Sequence, residues 1–349
     1  MNKTIKIKDR LIGEGQPIYI IAEMSANHAG DFSRAIEIIH AAKESGADCI
    51  KIQTYTPDTM TIDSDNEYFK ITKGTWKGEN LYSLYKKAYT PWEWQAKLKE
   101  EADKIGIDFL STPFDKIAVD FLEEIGVHFY KIASFEVVDI PLIKYVASKG
   151  KPIIMSTGMA TLGEIEEAVN AVKSQSNENL CLLKCSSAYP AVPEDMNLKT
   201  IKYLEEVFGV IAGLSDHSLG SVGAITAVAL GAKVVEKHFC ISREIENPDS
   251  SFSMEPHEFK KMVEDIRAAE RAIGKVSFEV SKREEMNRVF RRSIFVVKDI
   301  KKGEVFTEEN VKVIRPGYGL APKYYEDILG KIASKDIETG TPLDWSMVI

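Results

Sequence analysis

Short apolar runs alternate with helical patterns along most of the chain, and this alternation restricts the possible folds more than any other feature. Each run is rich in Val, Ile and Leu, as expected of a parallel strand buried on both faces. The eight runs cover residues 18–23, 49–53, 108–112, 128–134, 152–156, 180–185, 210–214 and 233–238. Regular alternation of strands and helices predicts an α/β fold, a closed (β/α)8 TIM barrel.

Helical periodicity separates most of the runs. Phe32–Ser45, for example, follows Asp31 as a predicted cap and stops before Gly46. Further helices are predicted at residues 92–105, 117–125, 141–149, 162–174, 198–206, 221–230 and 257–273. An open doubly wound sheet is the alternative, but no glycine-rich dinucleotide-binding motif follows the first run.

Length and charge limit the classes of partner. With 349 residues the chain can form one large core and a small second domain. A formal charge of −8 argues against nucleic acid as the main partner, although a local lysine cluster can still bind an anionic substrate. The N-terminus has no apolar leader, and no apolar run approaches the length of a membrane span, so we expect a cytoplasmic protein without a membrane partner.

Four cysteines occur without any CxxC pair, at Cys49, Cys181, Cys185 and Cys240. They lie in or beside the predicted strands. This placement favours small buried thiols in a reducing compartment over a disulfide framework or a zinc site.

Two segments interrupt the barrel pattern. Residues 54–90 form a long connection rich in Tyr, Thr, Lys and Gly, which predicts a lid or binding loop, with a passive insertion as the alternative. Residues 1–17 predict a short hairpin. At the other end, the catalytic barrel is expected to span residues 1–273, a polar linker 274–287, and a small β-rich domain 288–349. In that domain, strands are predicted at 292–297, 299–307 and 311–319, and the same pattern continues over 330–349.

Two histidines stand at the ends of neighbouring runs. His217 follows one apolar run and His238 ends the next. Because strand ends of a barrel share one face, two neutral imidazoles there are suited to part of a divalent-metal site. A structural, hydrogen-bonded histidine pair is the alternative.

Three lysines also lie on predicted buried strands, at Lys51, Lys131 and Lys184. A buried lysine needs a counter-charge, so with nearby Ser and Thr hydroxyls these lysines predict a pocket for a phosphate and a carboxylate. Pairing with glutamates is the structural alternative, and a Schiff-base lysine is the rival chemistry.

Seven motifs, in order along the chain, resemble the sialic acid synthase family. They are Ile21–His28, Lys51–Tyr55, Phe109–Phe114, Tyr130–Glu136, Ser156–Met159, Gly213–His217 and Glu236–Phe239. The similarity covers nearly the whole chain and includes a C-terminal part that looks like the antifreeze-like (SAF) module, with Arg315-Pro-Gly as its motif.

This resemblance implies that phosphoenolpyruvate condenses with an open-chain N-acetylated amino sugar to give a nine-carbon 2-keto acid and phosphate. By family position, phosphoenolpyruvate would be held by Lys51, Thr112, Lys131, Ser134, Ser156, Ser187 and Ser215, and the sugar by Gln53, Tyr189, Asp249 and Arg315. His217 and His238 would hold Mn, Mg or Co to polarise the aldehyde. Glu136 would lie near the reacting carbons, and Glu23 would transfer a proton or orient water.

Within the family, the motifs around Ser25–His28, Gln53–Asp58 and Thr75–Asn80 are most similar to the branch that uses 2,4-diacetamido-2,4,6-trideoxy-L-altrose for bacterial surface or flagellin glycosylation. Ser187 and the Asn247–Ser253 loop depart from the form that uses N-acetylmannosamine. Apolar contact with the extra methyls is expected from Tyr55, Trp76 and Phe252. The alternatives are N-acetylneuraminate or legionaminate synthesis, a metal-dependent hydrolase, and a non-catalytic sugar-binding barrel.

The resemblance also implies a domain-swapped homodimer. In that arrangement the C-terminal module of one copy caps the barrel of the other and brings Arg315 to the amide of the sugar. A β-rich domain of about sixty residues is too small to bury a large core alone, which agrees with packing against a partner.

Overall fold

A β-hairpin precedes the barrel. In the computed structural model, which describes residues 1–349, strands β1 (Thr4–Ile7) and β2 (Arg10–Gly13) pair antiparallel, as predicted for the N-terminal segment. Three isoleucines of this hairpin are buried in one cluster with apolar residues of the barrel interior: Ile5, Ile7 and Ile12. The hairpin therefore closes the lower end of the barrel.

Eight parallel strands follow and close on themselves in the order β10-β3-β4-β5-β6-β7-β8-β9. They are β3 (Tyr19–Glu23), β4 (Cys49–Thr54), β5 (Asp108–Pro113), β6 (Tyr130–Ile132), β7 (Ile153–Ser156), β8 (Leu180–Cys185), β9 (Ile211–Asp216) and β10 (Val234–His238). The predicted TIM barrel is confirmed, and each predicted run overlaps one of these strands, with ends that agree to within two residues for most of them.

Helices fill the connections and cover the outside of the barrel. They are α1 (Phe32–Glu44), α2 (Pro57–Met60), α3 (Leu81–Ala88), α4 (Trp92–Ile105), α5 (Lys116–Glu124), α6 (Ile140–Ala147), α7 (Leu162–Lys173), α8 (Thr200–Phe208), α9 (Val222–Ala229) and α10 (Pro256–Ile273). The eight predicted helices lie within two residues of these bounds. Side-chain caps set several of the starts: Asp31 accepts the amides of Ser33 and Arg34, and Thr161 forms a capping box with Glu164.

Side chains of the strands alternate between the barrel interior and the layer of helices. The lower part of the interior is apolar and continuous with the hairpin; its residues are Tyr19, Ile21, Cys49, Leu110, Phe129, Ile154, Cys181, Leu183, Ile211 and Val234. At the next inward position of most strands the side chain is polar, as at Glu23, Lys51 and Lys131. The change from apolar to polar along each strand places the chemistry at the C-terminal mouth.

The segment after β4 is more ordered than a loop. Residues 54–90 contain α2, α3 and a short 3₁₀ turn at Glu67–Phe69. Asn80 caps α3 by accepting the amide of Tyr82, and Leu84 is the buried residue of that helix. The long segment folds as two helical pieces because local caps and a few apolar anchors stabilise each of them.

Residues Lys275–Ile349 form a second compact unit. Strands β11 (Ser293–Val296) and β12 (Val311–Ile314) pair antiparallel, and α11 (Lys282–Glu285) and α12 (Tyr325–Ile328) are single turns. The strands predicted at 299–307 and within 330–349 are wrong: these segments form only isolated bridges, such as Ile300 with Ile337. Turns such as Lys302-Gly303 interrupt them too often for a continuous ladder.

All four cysteines are free and buried, as predicted. None of the helices combines the length and the apolar character that a membrane crossing requires.

Candidate active site

A cavity of about 390 Å³ opens at the C-terminal ends of the barrel strands. Twelve of the residues singled out in the sequence line it: Glu23, Lys51, Gln53, Lys131, Ser134, Glu136, Ser156, Tyr189, Ser215, His217, His238 and Asp249. Strand alternation and the closed barrel bring them together, although they span more than two hundred positions of the chain.

Lys51 lies between two carboxylates on neighbouring strands. Its Nζ is 2.7 Å from Oε1 of Glu236 and 3.2 Å from Oε2 of Glu23. Burial alone would lower the pKa of Lys51, but both carboxylates outweigh burial and raise it, so the ammonium stays charged. One lysine cannot balance two buried carboxylates equally. Burial therefore raises the pKa of Glu23, while Lys131 and Lys51 overcome burial and lower that of Glu236.

Lys131 has no carboxylate as a hydrogen-bond partner. Its Nζ donates to the hydroxyl of Ser156 at 2.6 Å and to the carbonyl of Ile132 at 2.8 Å, and the residue is 1% exposed. Burial lowers the pKa of Lys131 to about 8. A buried ammonium held only by neutral acceptors is suited to an incoming anion, because the anion supplies the missing counter-charge.

His217 and His238 face each other with ring centroids 5.4 Å apart. Nδ1 of His217 is 3.0 Å from the carbonyl oxygen of Ser186, an arrangement in which Nδ1 donates and Nε2 keeps its lone pair. Nδ1 of His238 is buried without a hydrogen-bond partner, and burial holds the pKa of His238 well below its usual value. Two oriented imidazoles, one with an unpaired buried nitrogen, fit a divalent cation. No group of three or more His, Cys, Asp or Glu side chains is arranged around them.

Polar groups on the side of the cavity that contains Gln53 and Asp249 are hydrogen-bonded to one another in part. Nε2 of Gln53 donates to Oε1 of Glu23 and to the hydroxyl of Ser25, both at 2.9 Å. Oδ2 of Asp249 accepts the amide of Ala26 and lies 4.0 Å from Nδ1 of His238. These contacts hold Gln53 beside Glu23 and Asp249 beside His238.

Glu136 stands apart from these contacts, with Oε2 buried and without a hydrogen-bond partner. Burial raises the pKa of Glu136 to about 7, while Lys131 opposes the shift. A carboxyl group with this pKa can hold or release a proton near neutral pH.

The segment after β4 forms the opposite, mostly apolar wall. Its apolar and aromatic lining residues are Tyr55, Met60, Ile71, Trp76, Leu81, Leu84, Tyr85 and Ala88. The indole N–H of Trp76 donates to the carbonyl of Pro248 at 2.9 Å, and its ring lies 5.5 Å from that of Tyr189. The Thr75 hydroxyl donates to the Tyr189 carbonyl. Residues 54–90 therefore close one side of the cavity instead of forming a passive insertion.

The sequence matches the NeuB family over residues 38–278. The chain belongs to the NeuB family. Residues 291–349 match the SAF domain. A pseudaminic acid synthase of Campylobacter jejuni subsp. jejuni is 50% identical over 326 residues, 93% of this chain and 95% of that protein. A pseudaminic acid synthase of Helicobacter pylori is 48% identical over 329 residues, 94% of this chain and 97% of that protein.

A solved relative gives the same fold. The crystal structure of N-acetylneuraminic acid (sialic acid) synthetase from Leptospira borgpetersenii, in complex with citrate, matches with a TM-score of 0.73 and 33% identity over 82% of this chain and 95% of that chain. The family and the fold inferred from the sequence motifs are thus confirmed, including the C-terminal SAF domain.

Three predicted site residues of this NeuB-family chain do not line the cavity. The hydroxyl of Thr112 is buried without a hydrogen-bond partner, and the hydroxyl of Ser187 donates to that of Ser134 at 2.9 Å. Arg315 belongs to the second unit. Ser187 therefore contacts the cavity only indirectly, by orienting the hydroxyl of Ser134.

Lys184 was wrongly grouped with the cavity lysines. On β8 the residues that face the interior are Cys181, Leu183 and Cys185, so alternation turns Lys184 to the other face, where its amine donates to the carbonyl of Cys185. Lys51 is the one of the three lysines that pairs with glutamates, as in the structural alternative given for these residues.

Glu236 is the functional candidate that sequence reasoning passed over. It lines the cavity, accepts hydrogen bonds from Lys51 and Ser215, and is 3% exposed. The signal was available: Glu236 precedes His238 by two residues on one strand, so both must face the same side.

Proposed function

We propose that this chain condenses phosphoenolpyruvate with 2,4-diacetamido-2,4,6-trideoxy-L-altrose, the reaction of a pseudaminic acid synthase. Support comes from 50% and 48% identity, over more than nine-tenths of the chain, to two pseudaminic acid synthases. The observation that carries the chemistry is Lys131, a buried ammonium without an anionic hydrogen-bond partner beside serine hydroxyls.

The anionic substrate is assigned to the charged wall. Lys131 and Lys51 supply the positive charge, and the hydroxyls of Ser134, Ser156 and Ser215 supply neutral donors. Thr112 lies buried on the strand beside Gln53, with a free hydroxyl. These groups together match the phosphate and carboxylate of phosphoenolpyruvate.

His217 and His238 are proposed to hold a divalent cation, Mn, Mg or Co. When bound, the cation polarises the aldehyde oxygen of the open-chain sugar. The contact between His217 and the Ser186 carbonyl leaves the lone pair of Nε2 free for the cation when the ring is neutral, and the low pKa of His238 keeps that second ring neutral, as a ligand must be.

Proton transfer is assigned to the two carboxyl groups at the cavity. C3 of phosphoenolpyruvate forms a bond to the aldehyde carbon, and the aldehyde oxygen takes up a proton. Water then adds to C2, and the C2–O bond to phosphate breaks, which leaves a 2-keto acid. Glu23, fixed by Gln53 and Lys51, is placed to orient the water or to move its proton, and Glu136 has the pKa to supply a proton near pH 7.

Selection of the sugar is assigned to the apolar wall. Tyr55 and Trp76 line the cavity, and the ring of Phe252 packs 5.2 Å from Tyr189 and 5.0 Å from His238. Methyl groups of a deoxy sugar with two acetamido groups fit such a surface, while Gln53, Tyr189 and Asp249 remain for its polar groups.

A homodimer in which Arg315 reaches the partner's sugar is part of the same proposal. Its support is a set of exposed apolar side chains in the segments that follow β6, β7 and β9, up to the first residues of α7 and α9: Phe135, Val138, Met159, Leu162, Leu219 and Val222. Exposed apolar side chains at several strand ends of one mouth favour coverage by a second copy. An Arg315→Ala variant that dimerises in sedimentation experiments but keeps the KM for the sugar would refute the role of Arg315.

The deciding experiment measures phosphate release from phosphoenolpyruvate with a panel of amino sugars, with and without chelator. We expect release with the altrose sugar and its loss with chelator. Preference for N-acetylmannosamine would instead assign the chain to N-acetylneuraminate synthesis. Chemistry on the sugar without phosphoenolpyruvate would indicate a hydrolase, and binding without turnover a non-catalytic barrel.

A further inference from the structure

An ion pair lies buried outside the cavity, between the barrel and its helices. Nζ of Lys237 is 2.7 Å from Oδ2 of Asp216, and each of the two residues is 1% exposed. The same Nζ donates to the carbonyl of Ser218 at 2.6 Å, and Oδ1 of Asp216 accepts the amide and the hydroxyl of Ser218. All the polar atoms of this cluster are therefore used by one another.

The cluster lies directly behind the two imidazoles. Asp216 precedes His217 and Lys237 precedes His238, and Asp216 and Lys237 are paired across β9 and β10. Because side chains alternate, Asp216 and Lys237 point to the helices while their neighbours line the cavity. One cross-strand contact thus joins the two chain segments that carry the rings.

The surroundings of the pair are closely packed. A Cβ added at Gly223, in the first turn of α9, would lie 3.2 Å from Oδ2 of Asp216, 3.1 Å from the hydroxyl of Ser218 and 2.5 Å from Cε of Met196. Asp216 therefore has little room to take another rotamer. The position of the residue that follows it, His217, is restricted in the same way.

Stability does not explain an ion pair at this place. Both charges are removed from water, and buried pairs of this kind often contribute no more than apolar residues of similar volume. The best-supported use of such pairs is to fix one register among several.

We propose that Lys237 and Asp216 are a positioning pair, which fixes the separation and orientation of His217 and His238 from behind the strands. Lys237 joins the β10 end to both residues that flank His217, and the backbone on either side of that histidine cannot shift without breaking a hydrogen bond. The inference rests on the proposed metal role of the two imidazoles.

The test uses Co²⁺ alone as a probe, with its affinity measured by calorimetry and its coordination by visible absorption. In the main variant, Asp216→Asn with Lys237→Met, Asn keeps the oxygen that Ser218 uses, and Met fills the lysine volume without a donor. We expect a fall in Co²⁺ affinity of about 10–100-fold and an altered spectrum, with a cooperative thermal transition retained. The variant Asp216→Asn with Lys237→Gln restores a neutral cross-strand hydrogen bond and should recover part of the affinity.

Controls separate this inference from the proposed function. His217→Ala must abolish Co²⁺ binding; if it does not, the metal site itself is refuted, and the positioning role with it. Arg267→Met removes an ion pair with Asp48 at the lower end of the barrel and should leave Co²⁺ affinity unchanged. Unchanged Co²⁺ affinity and spectrum in the main variant, or loss of cooperative folding in both Asp216/Lys237 variants, would overturn the positioning role.

Discussion

The lower and upper halves of the barrel interior come from the same eight strands but bury opposite kinds of side chain. Below, the interior is apolar and closed by the hairpin isoleucines. Above, Lys51, Lys131 and Glu236 are each at most 5% exposed. Apolar burial stabilises a fold, whereas buried charges rarely do. The lower half of the interior therefore supplies stability, and the charged residues of the upper half supply chemistry at a cost in stability.

Lys131→Met should give the largest effect and sharpen this division. Loss of the unpaired ammonium should lower kcat/KM for phosphoenolpyruvate by about 10²–10³-fold. The thermal midpoint should change little, because the variant loses both the cost of burying the ammonium and its attraction to Glu236. Phosphate-release kinetics and thermal melting measure the two quantities. Lys184→Met is the matched control on the outer face, and an equal loss of activity there would contradict the assignment.

Ile7→Ala should have the reverse profile. Removing a fully buried side chain from the hairpin should lower the free energy of unfolding by about 2–5 kcal/mol, because a cavity remains. The KM of both substrates should stay the same. Denaturant unfolding provides the measurement, with Leu11→Ala, 44% exposed on the same hairpin, as the control expected to be near neutral. A large change in the KM of either substrate would contradict the separation of stability in the lower half from chemistry in the upper half.

Glu136→Gln should show how much the ionised carboxyl group of Glu136 lowers the free energy of unfolding. The pKa of Glu136 is raised from 4.5 to about 7 by burial, so its contribution to stability is fully present below pH 4.5 and is lost as the pH rises through 7. Glutamine cannot ionise, so the variant should be more stable than the native chain at pH 8 by about 3 kcal/mol, and equally stable at pH 4. Denaturation at both pH values tests this, and equal stability at pH 8 would contradict it.

Trp76→Phe should give the smallest effect. An aromatic ring is kept, but the hydrogen bond from the indole to the Pro248 carbonyl is lost. This loss should destabilise the contact between residues 54–90 and the Pro248 loop by about 1 kcal/mol. The KM for the sugar should therefore rise several-fold while the KM for phosphoenolpyruvate stays constant. Tyr68→Phe, in the same segment but 82% exposed, is the control. Equal changes in both KM values would place Trp76 in the general fold and not in sugar selection.

The barrel could be predicted from the sequence because its signals are local and repeated. A run such as Cys49–Thr54 is apolar except for the residues at the mouth, and helices such as Leu162–Lys173 carry their own caps. In the C-terminal unit only the two paired strands, β11 and β12, could be predicted in this way, and the segments 299–307 and 330–349 could not. There, the partners of single residues, such as Ile300 and Ile337, are distant in the sequence and pair only once.

Site residues were predictable where the strand phase was clear. Lys51 and Gln53 lie two apart and both line the cavity, whereas Lys184 was misplaced because the phase of β8 is set by Cys181 and Leu183. The contact of Trp76 with Pro248 joins residues 172 positions apart, and no local pattern encodes it. The central position of Glu236 likewise depends on the closure of β10 onto β3.

The N-terminal hairpin has a consequence for how substrates enter the cavity and how products leave it. Because three isoleucines pack against the lower interior of the barrel, we expect substrates to enter only at the C-terminal mouth. Both reactants must arrive, and both products depart, past the rim that residues 54–90 help to form. We therefore expect the substrate that binds at the innermost charges to bind first, which product-inhibition kinetics would show as an ordered mechanism.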